Sequence, residues 1–171
     1  QVTAEMVEKA ITPATKALLL CYPNNPTGAT IDRDKLLEIM EVVKQHDLVV
    51  ISDEIYDKLT YVGTHTCIPS LPGMYERTLL LNGFSKAYAM TGWRVGYAAG
   101  DPDIIGAMTR IHQYTALCAS ITGQVAAVEA LRNGKSQMKK MVEQYGRRRR
   151  LVMQAFADMG LPCFEPRGAF Y

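Results

Sequence analysis

No stretch of this 171-residue chain approaches the roughly 20 consecutive apolar residues that a membrane-spanning helix requires, so no transmembrane segment is expected. No signal-peptide pattern opens the sequence. An excess of one charge is also missing. Lys and Arg total 19 and Asp and Glu total 17, a formal net charge of +2. That balance gives no reason to expect nucleic acid or a membrane surface as a partner. Cysteines are few: Cys21, Cys67, Cys118 and Cys163 stand far apart, and no pair has CxxC or other metal-ligand spacing. They read as reduced thiols in a cytoplasmic protein. Internal repeats and low-complexity segments are absent. The one basic run, Arg147 to Arg150, falls in a helical segment. Four consecutive residues there point around most of the circumference, which makes a solvated helix rather than a basic stripe.

What is there is an apolar fraction of 48%, enough for one sizeable core. The length suggests one domain, or one domain and part of another. Residues 16–22 (KALLLCY) form a continuous apolar run ending in the turn-rich PNNPTG. We read a buried strand and a loop. Leu36, Leu37, Met40 and Val43 then recur at helical spacing, with Asp32 or Thr30 as the cap, in a helix running to about His46. Residues 48–52 (LVVIS), 78–82 (TLLLN) and 94–99 (RVGYAA) read as three more strands. Strand, helix and strand in alternation indicate an α/β fold with a mostly parallel sheet and flanking helices. Only about ten residues precede the fourth strand, too few for a parallel crossover, so it should run antiparallel. The rest is expected to be helical. Asp101-Pro102 caps one helix, Ile121 to Leu131 mark another, and residues 136–159 form a long helix weakened by Gly146.

Open α/β sheets bind ligands beyond the carboxyl ends of their parallel strands. Asn24 and Asn25 follow the first strand, Asp53 and Tyr56 the second, Ser85 and Lys86 the third, and Arg94 opens the antiparallel strand at the same edge. Each has an ordinary alternative. Lys86 could be a solvated lysine, Asp53-Glu54 a helix cap, Tyr56 a half-buried ring, Asn25 part of a turn, and Arg94 one half of a surface ion pair. Their joint placement at one edge argues for a site.

The segment GFSKAYAMTGWRVG at 83–96 resembles the lysine-attachment signature of class I and II aminotransferases. YPNNPTG at 22–28 is similar to that family's asparagine loop, SDEIY at 52–56 to its aspartate–tyrosine segment, and PRGAFY at 166–171 to the strand entering its smaller domain. The resemblance covers essentially the whole chain. It implies a cofactor, pyridoxal 5'-phosphate, held by Lys86 as a Schiff base, and amino transfer between an amino acid and a 2-oxo acid. By the same resemblance Asp53 pairs with the pyridine nitrogen, Tyr56 and Asn25 bond the ring's phenolic oxygen, Arg94 grips the phosphate and Ser85 adds a hydroxyl to it. The Asn25-Pro26 bond is expected to be cis. Gly83 departs from the serine that many relatives carry there, which removes one phosphate contact. Residues 1–134 are expected to form the second half of a cofactor-binding large domain, and 135–171 a linker helix and the start of a truncated small domain. The chain thus reads as an internal piece of a homodimeric enzyme, inactive alone. It carries neither the family's other phosphate loop nor its substrate-carboxylate arginine. Two alternatives share the fold: a carbon–sulfur or related lyase using the same cofactor, and a ligand-sensing domain of a transcription regulator.

Overall fold

The computed structural model describes residues 2–171. Four strands form one sheet in the order β1-β2-β3-β4: β1 Ala17–Cys21, β2 Val49–Asp53, β3 Thr78–Gly83 and β4 Gly96–Ala99. β1 pairs parallel with β2 and β2 parallel with β3, whereas β3 and β4 are antiparallel. This is the expected α/β arrangement, including the reversed fourth strand. A short helix, α1 (Ala4–Ala10), which the sequence reading did not mark, precedes β1, and α2 (Arg33–Gln45) connects β1 to β2. After β4 come α3 (Pro102–Thr115), α4 (Ile121–Asn133) and α5 (Lys135–Asp158).

Alternation decides which face of each strand is covered. Leu18 and Leu20 of β1 and Val50 of β2 meet Leu36, Ile39, Met40 and Val43 of α2 in the main core. Those helix residues recur every three or four positions, which places them on one face. The intervening residues face the other side of the sheet, where Leu19 is 66% exposed. A second, smaller core joins Phe84, Met90 and Val95 to Ala127 of α4. Helix α3 buries none of its residues, and Ile111, Leu117, Val125, Leu131 and Leu151 are exposed on α3, on α4 and α5, and in the link between α3 and α4. No helix among the described residues is long and apolar enough to cross a membrane.

Several local expectations are corrected. The fourth strand begins at Gly96, not Arg94. Arg94 is left-handed (φ 54°, ψ 51°) and closes a 3-10 turn over Thr91–Trp93. Close approach of the chains explains the shift. A Cβ on Gly83 would lie 3.0 Å from both the Gly96 Cα and the Val95 carbonyl oxygen, so regular pairing starts where two glycines meet. Asp32 occupies the cap position of α2, but its side chain accepts no helix N–H and instead pairs with Arg167 at 3.0 Å. Residues 166–171 form no strand; only Gly168 bridges to Thr60. By contrast, Asp101 caps α3 through its side chain, as expected. Helix α5 runs through Gly146, which is buried beside Tyr61.

Ile39 is fully buried at the centre of the main core. Ile39→Ala should lower the unfolding free energy by about 2–5 kcal/mol in urea denaturation, the usual cost of such a cavity.

Candidate active site

Three parallel strands release the chain at one edge, and each exit is a tight turn rather than a helix. After β1, Asn24 is consumed in building its own loop. Its side chain donates to the Cys21 carbonyl at 3.3 Å and accepts from Thr27 Oγ1 at 2.8 Å. Asn25 is thereby left to face outward, and its Nδ2 donates to the Tyr171 hydroxyl at 3.0 Å. The Asn25-Pro26 bond is cis, as expected, and so is Tyr22-Pro23. Gly28 (φ 67°) turns the loop against the C-terminal segment, its carbonyl accepting from both Arg167 N and Gly168 N at 2.8 Å. A Cβ there would meet Pro166 Cβ at 2.5 Å.

After β2, Asp53 Oδ1 accepts from Ile55 N at 3.1 Å, and a turn brings round Tyr56. The Tyr56 ring is only 2% exposed. Its hydroxyl lies 2.9 Å from that of Tyr171, and its ring makes edge contacts with the Phe170 and Tyr171 rings. Burial raises the Tyr56 pKa, and the hydrogen bond with Tyr171 raises it further, so the phenol stays protonated. Asn25 and Tyr56 therefore converge on one phenolic oxygen, that of Tyr171.

After β3, Ser85 and Lys86 lie half-buried in the next turn. Lys86 Nζ sits 5.6 Å from the Tyr56 ring centre and 5.3 Å from that of Phe170, between two aromatic faces. Among the described residues Lys86 makes no ion pair. Arg94 precedes β4, whose first residue pairs with the last of β3, so it stands beyond the same edge. It is exposed and donates to the Thr91 carbonyl at 2.9 Å. The structure thus brings Asn25, Tyr56 and Lys86 around one aromatic cluster. It sets Asp53, Ser85 and Arg94 along the same edge.

Two features escaped the sequence reading. Phe170 and Tyr171 complete the aromatic surround, across a separation of 115 residues from Tyr56 that no local pattern signals. The second is Glu54, treated above only as a possible helix cap. It is 2% exposed, and its carboxylate accepts from Ser52 Oγ at 2.9 Å, Ile68 N at 3.0 Å and His65 Nε2 at 2.6 Å. Burial by itself would raise its pKa, but these bonds, led by that of His65, hold it below the usual glutamate value. Nearby, burial and then the Glu54 charge push the Cys67 thiol up to about 12, which keeps it un-ionised.

A mostly parallel sheet closed by one antiparallel strand, with its polar groups gathered at the carboxyl edge, is the fold of the pyridoxal-phosphate-dependent transferases. Within that class, the chain belongs to the family aminotransferase class I and II, whose profile matches residues 1–171. Members of this family use pyridoxal phosphate. The chain is 49% identical to the protein YugH of Bacillus subtilis over 99% of its own length and 44% of YugH's. It is 43% identical to an aspartate aminotransferase of Pyrococcus abyssi, covering 100% of this chain and 45% of that protein. The solved aromatic aminotransferase of Pyrococcus horikoshii superposes with a TM-score of 0.94 at 42% identity, over 99% of this chain and 46% of that one. The chain thus spans less than half the length of the relatives it matches.

The lowered Glu54 pKa fixes a sign. Its bonds stabilise the fold fully above the unfolded glutamate value of about 4.3 and are lost as pH falls through the lower folded value. Unfolding free energy measured between about pH 5 and pH 3 should fall less steeply in Glu54→Gln than in wild type. Equal slopes would contradict the assignment.

Proposed function

We propose that this chain is the cofactor-holding part of an enzyme that moves an amino group between an amino acid and a 2-oxo acid, with Lys86 attached to pyridoxal phosphate. The observation that carries the reading is the convergence of Asn25 and Tyr56 on one phenolic oxygen, with the Lys86 amine over the Tyr56 ring. The cofactor ring also carries a phenolic oxygen, so an amide N–H and a tyrosine hydroxyl aimed at such an atom fit it. When bound, the cofactor supplies an electron sink for negative charge at the substrate's Cα.

The residues of the chain do the rest. Lys86 holds the cofactor's aldehyde carbon through its amine. The same amine, when free, would serve as the acid–base group that moves the proton at the substrate's Cα. The rings of Tyr56 and Phe170 flank the amine. Asp53 keeps a proton on the pyridine nitrogen by pairing with it. Asn25 and Tyr56 orient the phenolic oxygen. Arg94 takes the phosphate in its planar fork, and Ser85 adds a hydroxyl there. Arg94 has only a carbonyl to release before doing so.

The activity belongs to the full-length protein, in which other segments and a second subunit complete the site. The isolated chain is expected to be inactive. Its exposed apolar residues on α3, on α4 and α5, and in the link between α3 and α4 support a homodimer, since such patches mark association surfaces. The cytoplasm, where its thiols stay reduced, is the compartment proposed. Aspartate and aromatic aminotransferases both stand among the relatives, so the donor is to be found by assay.

In the full-length protein, aspartate or an aromatic amino acid with 2-oxoglutarate should yield glutamate without free ammonia. Lys86→Ala should lower kcat by about 10²–10⁴-fold, the range for losing a positioned acid–base group, with circular dichroism unchanged. Stoichiometric ammonia release would overturn amino transfer in favour of a lyase.

A further inference from the structure

Glu54 lies between two of the proposed site residues in sequence, yet its side chain is on the other side of the sheet. Side chains alternate along a strand, so Ser52 and Glu54 share one face and Asp53 takes the opposite one. The Ser52–Glu54 bond at 2.9 Å fits that geometry. Glu54 is therefore placed to act on the site through the backbone and not by touching a ligand.

Its main chain and carboxylate together join three pieces of structure to the end of β2. Glu54 N donates to the Leu81 carbonyl of β3 at 2.9 Å, and the Glu54 carbonyl accepts from Asp57 N at 2.9 Å, closing the turn that carries Tyr56. Its carboxylate reaches the returning loop through Ile68 N and His65. No α-helix lies between β2 and β3, and residues 55–58 form turns, so this segment has no α-helical hydrogen-bond ladder to hold it. A buried carboxylate is tolerated only when its oxygens are satisfied, and three donors satisfy these two.

We infer that Glu54 is a positioning residue: by tying the loop at His65–Ile68 to the end of β2, it fixes the turn that holds Asp53 and Tyr56 at the cofactor edge. This rests on the cofactor reading above. The hydrogen-bond pattern predicts which substitution is tolerated. Ser52 and Ile68 both donate to Oε1, an atom that glutamine keeps. The amide nitrogen of glutamine can donate to a neutral His65. Alanine loses every one of these bonds.

The test uses the full-length protein stripped of cofactor, with pyridoxal phosphate titrated back and binding followed by absorbance. Melting temperature of the cofactor-free protein is recorded alongside. Glu54→Ala should weaken cofactor binding by about tenfold or more, and Glu54→Gln should stay within about threefold of wild type. If Glu54→Ala melts earlier but binds as tightly as wild type, the residue is merely structural and the inference is overturned. Should Glu54→Ala not fold, His65→Ala removes one arm only and should weaken binding by about fivefold, more than Glu54→Gln does; binding as tight as that of Glu54→Gln overturns the inference equally. Wild-type protein that takes up no cofactor would overturn the cofactor reading itself, an outcome separate from either variant's.

Discussion

Parallel pairing of β1, β2 and β3 is the constraint on which the rest depends. Because all three strands run the same way, their exits lie at one edge, and residues far apart in sequence become neighbours there. The registers are tight: Cys21 stands beside Asp53, and Asp53 beside Leu81. One consequence is visible in the Cys21 thiol, whose pKa is raised by burial and then by the Asp53 charge. The reversal at β4 serves the same edge. It returns the chain at once, through Gly83 against Gly96, so that Arg94 stands where β3 ends.

A second level of organisation comes from the C-terminal segment. It is held to the asparagine loop by two N–H groups on the Gly28 carbonyl and to the turn after β2 through Leu59 and Tyr61. Tyr145 of α5 stacks on Phe170 with ring centres 5.6 Å apart, and Phe170 also flanks Lys86. The long helix thus contributes to the surroundings of the lysine amine without supplying a polar group to it. Arg149 belongs to the same support, pairing with Glu165 at 2.7 Å and donating to the Pro166 carbonyl.

Much of the architecture was legible because the strands are continuous apolar runs bounded by Pro, Asn and Gly, and because a short connection forces reversal. The grouping of Asn25, Asp53, Tyr56, Lys86 and Arg94 at one edge followed from strand order alone. Three things were hidden. Arg94 read as strand because Arg94 to Ala99 looks regular, whereas the glycine contact and a left-handed residue delay pairing by two positions. The Glu54 network needs His65 and Ile68, which reach it only through a loop with no periodic signal. Tyr171 reads as part of a strand, yet its hydroxyl lies among groups near positions 25 and 56 because of tertiary docking. The run Arg147 to Arg150 behaved as helical geometry requires, with Arg149 turned inward and its neighbours exposed.

The most direct test of the account is chemical. The full-length protein is incubated with pyridoxal phosphate, reduced with borohydride, digested, and mapped by mass spectrometry. The reduced cofactor is expected on the peptide containing Lys86, and its disappearance is expected when that lysine is replaced. Label scattered over surface lysines, or concentrated on a different one, would contradict it.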